Sequence, residues 1–171
     1  MKVSVREIAI FGFMAALMYA SKLAMDFLPN IHLIGVIIIS LTDVYGKKAL
    51  YPVYAFVFLT GLLAGFSTWW LPYLYIWFVL WAGVMLVPRN INPRLKTVIY
   101  MIICAVHGFS YGILYAPVHM LFYGMDLKAI TAWVIAGLPW DMVHGVSNFF
   151  CTFLSVPIIK ALKMAQKYGV A

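Results

Sequence analysis

Long apolar stretches recur along the whole chain, each ended by proline, glycine or a short basic cluster, and this punctuation limits the fold more than any motif does. A helix needs about 20 mostly apolar residues to cross a hydrocarbon layer, and it satisfies its own backbone polar groups there. The residues are 65% hydrophobic and 10% charged, with a mean hydropathy of +0.99. A soluble domain of 171 residues could not bury that much apolar surface. The expected fold is an all-α integral membrane protein with one membrane domain over residues 1–171 and six transmembrane helices.

The spans are expected at about 7–28, 31–45, 49–66, 69–87, 97–123 and 139–163. Pro29-Asn30 closes the first, Gly46-Lys47-Lys48 the second and Pro88 the fourth, because proline and glycine do not continue a helix well. The second is short enough to need shielding by protein. Gly61 and Gly65 are spaced for close approach of a neighbour in the third. Ser67-Thr68 is expected to cap the fourth, with Pro72 in its first turn. The fifth is expected to start near Thr97 and break at Ala116-Pro117. Asp126 to Gly137 reads as a short surface helix, and Pro157 as a kink in the sixth span.

Basic residues orient this layout. With the N-terminus inside, Lys2, Arg6, Lys47, Lys48, Arg89, Arg94, Lys96, Lys160, Lys163 and Lys167 fall on the inner side and only Lys128 in an outer loop. Both termini are therefore expected in the cytoplasm of a prokaryotic cell, with the chain multi-pass in its plasma membrane. The net charge of +7 reflects this topology rather than nucleic-acid binding.

Several function classes are excluded by what the sequence lacks. There is no Walker-type glycine loop, HExxH or GxSxG, so an energy source has to come from a partner. Cys104 and Cys151 fall inside spans and read as packing residues. The first apolar run follows Lys2 and Arg6 as a signal peptide would, but it lacks a small-x-small cleavage site and contains Lys22 and Asp26. It is expected to remain as the first span.

That first span has two faces. Gly12, Ala16, Ala20 and Ala24 recur every four residues and form a ridge with almost no side-chain volume, onto which another helix could dock. At 100° per residue, Lys22 lies about 200° from Ala20 and Ala24, and Asp26 about 200° from Ala24. The charges thus face away from the ridge. Lys22 is a candidate to pair with Asp26, in the weaker order for an i,i+4 pair, or with Asp141.

Polar and aromatic residues gather in the outer halves of the later spans. Trp70, Tyr73, Trp77 and Trp81 share a face of the fourth; the outermost tryptophans also suit an interfacial belt. His107, Tyr111, Tyr115 and His119 repeat every four residues in the fifth, beside Gly108 and Gly112. Asp141, His144 and Asn148 share a face of the sixth, continued inward by Thr152 and Ser155. A carboxylate inside a membrane costs roughly 2.5–3.5 kcal/mol on insertion scales, so Asp141 is expected to face a cavity, to cap its own helix, or to do both. A pocket so walled suits a small, flat, polar ligand.

The six-span layout, the alanine-stepped first helix, the LPNI turn from Leu28 to Ile31, and the run Gly-Leu-Pro-Trp-Asp-Met-Val-His-Gly-Val-Ser-Asn from Gly137 to Asn148 resemble the substrate-binding S component of energy-coupling factor (ECF) vitamin transporters. The resemblance implies a membrane-embedded binder. Such a component captures a vitamin or similar micronutrient outside the cell, docks on a transmembrane coupling protein driven by two cytoplasmic ATPases, and topples in the bilayer to release its ligand inside. The family's Ala-xxx-Ala docking motif maps onto Ala16, Ala20 and Ala24, extended by Gly12. The implied pocket takes in Trp70, Tyr73, Trp77, Tyr115, His119, Trp133, Asp141, His144 and Asn148, to which the reading of the residues adds Lys22, Asp26 and Tyr111. No cofactor, metal or catalytic residue is expected, and the particular vitamin does not carry over.

Two other classes stand beside this reading. A stand-alone secondary carrier or channel for a small solute would be expected to show inverted repeats and broken helices, which are not evident. An intramembrane enzyme would need His107, His119, Asp141 and His144 to act together, yet no HxxxH or HxxxD pair and no nucleophile beside a histidine is present.

Overall fold

The computed structural model describes residues 2–28 and 30–168, and these are mostly helical, without strands. Their helices are α1 (Val5–Ala24), α2 (Ile34–Tyr45), α3 (Leu50–Ala64), α4 (Tyr73–Met85), α5 (Pro93–Phe109), α6 (Tyr111–Tyr123), α7 (Leu127–Cys151) and α8 (Ser155–Tyr168). Short 3-10 turns at Gly46–Ala49 and Thr152–Leu154 join α2 to α3 and α7 to α8.

Three stretches are long and apolar enough to cross a membrane: Val5–Ala24, Pro93–Tyr123 and Leu127–Lys167. The other three rods, α2, α3 and α4, have 12, 15 and 13 residues. At 1.5 Å per residue they rise only about 18 to 23 Å. Outward-facing Phe13, Phe58, Leu62, Val106, Phe150 and Phe153 are each more than half exposed. Apolar rims of that kind are compatible with a helical membrane protein.

The core forms around α2. Every residue from Ile34 to Thr42 is buried, and α1, α4 and α8 pack around this helix. Its buried hydroxyls at Ser40 and Thr42 are satisfied locally, Ser40 Oγ donating to the Val36 carbonyl at 2.8 Å and Thr42 Oγ1 to that of Ile38 at 2.7 Å. Phe11, Met14, Ala15 and Met18 of α1 are the buried side of that helix.

The basic end of the bundle is held by ion pairs. Ser4 and Glu7 form a capping box that starts α1, and Glu7 also pairs with Lys48 at 2.7 Å. Asp43, at the end of α2, is bound by Lys96, by Lys163 at 3.5 Å and by the Tyr100 hydroxyl at 2.7 Å.

Several boundaries differ from the sequence-based expectation, each for a local reason. α1 stops at Ala24, and 25–28 form turns; Pro29, the expected stop, lies outside the described residues. Gly65 is not a packing glycine but the end of α3, with φ of 92° that side chains avoid. Gly61 is covered instead by Phe66 and Trp70 folding back, with ring atoms 2.2 to 2.7 Å from where a Cβ would sit. Ser67 and Thr68 do not cap α4, which follows a series of turns with Pro72 at its N-cap; the Thr68 hydroxyl bonds that of Tyr123. Pro93 supplies the first residue of α5 and Asn92 Oδ1 caps it, so the helix begins before Thr97.

The break in the fifth rod lies at Ser110 rather than at Pro117, which α6 absorbs. Asp126 to Gly137 is not a separate surface helix. Asp126 Oδ1 caps Ala129 N at 2.7 Å, and the helix so started runs unbroken through Pro139 to Cys151. Pro157 leaves the Phe153 carbonyl without its helical donor, and the 3-10 turn falls there.

Candidate functional site

The polar end of the bundle is organised by the approach of α5 and α7, the most extensive helix pair in the fold. A Cβ on Gly108 would lie 2.8 Å from the Gly145 backbone, so the two chains touch where neither has a side chain. One turn further, Gly112 donates its N–H to Asp141 Oδ2 at 3.0 Å. In an unbroken helix that N–H would bond the Gly108 carbonyl, so Asp141 replaces a bond that the break at Ser110 removes. Asp141 therefore caps α6 from α7. It does not cap its own helix, whose start is 14 residues earlier at Leu127.

Two adjoining cavities open above this crossing. The first, about 260 Å³, is lined by Lys22 and Asp26 at the end of α1, by His32, and by Tyr73, Tyr111 and His144. The second, about 400 Å³, is lined by Tyr111, Gly112, Tyr115, Trp133, Trp140 and Asp141. Asn30 belongs to both and fixes the wall between them: its Nδ2 donates to the Trp140 carbonyl at 3.1 Å, and its own carbonyl accepts from Ser147 Oγ at 3.3 Å. Asn30 has φ of 59°, the left-handed region that asparagine tolerates.

The floor of the first cavity is a set of interlocked rings. His144 stands edge-on to His32 and to Tyr111, with ring centres 4.7 Å apart in each case. Trp77 lies behind them, 5.9 Å from His32 and 5.6 Å from His107. His107 Nε2 is bonded to the Ile76 carbonyl at 2.9 Å. His144 is 1% exposed, and neither of its ring nitrogens has a hydrogen-bond partner. His32 Nδ1, His107 Nδ1 and Trp77 Nε1 are also buried without one. Unpaired buried polar atoms cost about 1–3 kcal/mol each, and four neighbouring residues carry them here. Among the described residues no three His, Cys, Asp or Glu side chains are close enough to hold a metal ion.

The expected site residues separate into four groups. Lys22, Asp26, Tyr73, Tyr111, Tyr115, Trp133, Asp141 and His144 line the two cavities. Trp77 and Asn148 are fully buried beneath them, Asn148 donating to the Cys104 carbonyl at 3.2 Å. His119 stacks edge-on against Trp133 at 4.2 Å, beside the second cavity. Trp70 is away from both: its Nε1 is taken by the Val57 carbonyl at 2.8 Å, and Trp81 likewise bonds the Gly46 carbonyl at 3.1 Å. Neither Lys22–Asp26 nor Lys22–Asp141 forms an ion pair. Cys104 and Cys151 are both free thiols.

His32, Asn30 and Trp140 are the residues that periodicity missed. His32 and Asn30 sit in a loop, where no helical repeat singles them out. Trp140 follows Pro139 in the run that ends at Asn148, so its place in the chain was the available signal.

The small residues of α1 lie elsewhere. Gly12, Ala16, Ala20 and Ala24 are all exposed, and nothing lies within 4 Å of a Cβ placed on Gly12. No family model matches the chain, and no curated protein or solved structure matches it either.

Proposed function

We propose that this protein is the membrane-embedded substrate-binding component of an ATP-driven ECF-type importer, taking a vitamin or similar small polar ring compound from outside a prokaryotic cell. In this reading all six rods, α1, α2, α3, α4, α5–α6 and α7–α8, cross the plasma membrane, with both termini cytoplasmic. The short rods α2, α3 and α4 continue toward the outer surface as turns, of which Asn30 to Leu33 before α2 are partly buried and Gly65 to Ser67 after α3 are exposed. The basic end faces the cytoplasm and the two cavities face outward.

The observation that carries the proposal is the division of labour on α1. Its exposed ridge of Gly12, Ala16, Ala20 and Ala24 is free for a transmembrane coupling protein, while Lys22 and Asp26 at its end line a cavity with unsatisfied buried imidazoles. Energy would come from two cytoplasmic ATPase subunits bound to the coupling protein, since the chain carries no phosphate-binding loop of its own.

The double variant Ala16→Trp, Ala20→Trp tests this. Uptake by cells expressing the whole complex should be lost, with ligand binding to the isolated protein intact. Normal uptake, or loss of binding along with it, would contradict the two-faced role of α1.

A further inference from the structure

The first cavity carries a charge pattern that narrows the ligand class, an inference that rests on the binding role proposed above. Lys22 is half-buried and Asp26 exposed, four residues apart at the cavity mouth. Neither forms an ion pair among the described residues; the pairs present, Glu7 with Lys48 and Asp43 with Lys96 and Lys163, are all at the opposite end. One ammonium and one carboxylate thus face the same space of about 260 Å³ with no internal partner.

A ligand bearing a single charge would satisfy one of the two groups and leave the other with water alone, with the larger cost falling on the half-buried Lys22. A ligand bearing one carboxylate and one ammonium satisfies both and brings no net charge. Behind these groups the walls are rings: Tyr73, Tyr111, His32 and His144. His144, 1% exposed with both nitrogens unpartnered, offers one donor and one acceptor in its neutral form. A ring whose edge carries its own hydrogen-bonding group answers that pair.

We infer that the cavity takes a zwitterionic ring compound, an aromatic α-amino acid or close analogue. Its carboxylate meets Lys22, its ammonium meets Asp26, and the polar edge of its ring meets His144. The aromatic walls then contribute stacking, which favours a flat ring over a branched aliphatic chain of the same volume.

The test is titration calorimetry on the full chain in detergent, stripped of co-purified ligand, with three matched probe sets. The zwitterions are L-histidine, L-tyrosine and L-tryptophan; the amines are histamine, tyramine and tryptamine; the acids are imidazolepropionate, 4-hydroxyphenylpropionate and indole-3-propionate. At least one zwitterion should bind about tenfold or more tighter than its own amine and acid, a difference of about 1.4 kcal/mol. Lys22→Gln should erase the advantage over the amine, and Asp26→Asn the advantage over the acid. Equal affinity for zwitterion and single-charge analogue, or no zwitterion binding at all, overturns the inference. If a vitamin without paired charges is then found bound by mass spectrometry, the binding role stands and only the ligand class falls. If no compound binds or co-purifies, both fall.

Discussion

Asp141 of α7 accepts a hydrogen bond from the backbone N–H of Gly112 at 3.0 Å, and through it one helix supplies the cap for the broken start of another. The bond lies in the wall of the second cavity, so the same carboxylate holds the fold and shapes the site. Asp141 is 5% exposed, and a buried carboxylate that receives a backbone donor is partly compensated for lost water.

Asp141→Ala should therefore strand the Gly112 N–H and lower stability by about 1–3 kcal/mol, the cost of a buried unpaired donor. Asp141→Asn keeps an acceptor oxygen and should recover most of that loss. Thermal unfolding in detergent reads both. Equal melting temperatures for the alanine variant and the wild type would mean that this bond does not support the break at Ser110.

The crossing beneath it makes a second contrast between two glycines of the same sequence type. A Cβ at Gly108 would lie 2.8 Å from the Gly145 backbone, which cannot rotate away, whereas one at Gly12 meets nothing. Gly108→Ala should destabilise by about 1–3 kcal/mol through overpacking. Gly12→Ala should leave the isolated protein's stability unchanged or slightly raised, since alanine favours a helix. A Gly108→Ala protein that melts with the wild type would show that α5 and α7 can separate freely at this point.

Much of the site was legible because it lies on helices. The four-residue repeat His107, Tyr111, Tyr115 and His119 predicts a shared face, and their rings do follow one another at 5.1 to 6.3 Å despite the break at Ser110 and the proline at 117. The stripe Asp141, His144, Asn148, Thr152 and Ser155 is buried throughout. Periodicity does not decide what a tryptophan's indole N–H does: it groups Trp70 and Trp81 with Trp77, whereas the Val57 and Gly46 carbonyls hold the first two elsewhere. It was also silent on His32, which enters the site through the docking of a loop on α7 by Asn30 and Ser147, residues more than 110 positions apart. Nor does proline alone decide where a helix breaks: Pro117 and Pro139 sit inside helices whose flanking turns supply enough bonds to absorb one missing donor.

His144 separates binding from folding. Both of its nitrogens are buried without partners, so His144→Leu removes polar atoms that the fold does not use. Stability should be unchanged or higher, because replacing unpaired polar groups by apolar ones of similar size is near neutral or favourable. Ligand affinity should fall about tenfold or more, the value of a lost buried hydrogen bond. A variant that unfolds by several degrees while binding normally would assign His144 to the core instead.

The most direct measurement is ligand binding by the isolated chain. The protein purified in mild detergent is examined by native mass spectrometry for a retained small molecule, then stripped and titrated while the fluorescence of its tryptophans is followed. One saturable site per chain is expected, with a spectral change reporting Trp77 and a midpoint about tenfold or more weaker in His144→Leu. A chain that retains nothing and shows no saturable change with amino acids or water-soluble vitamins would contradict a binding role for these cavities.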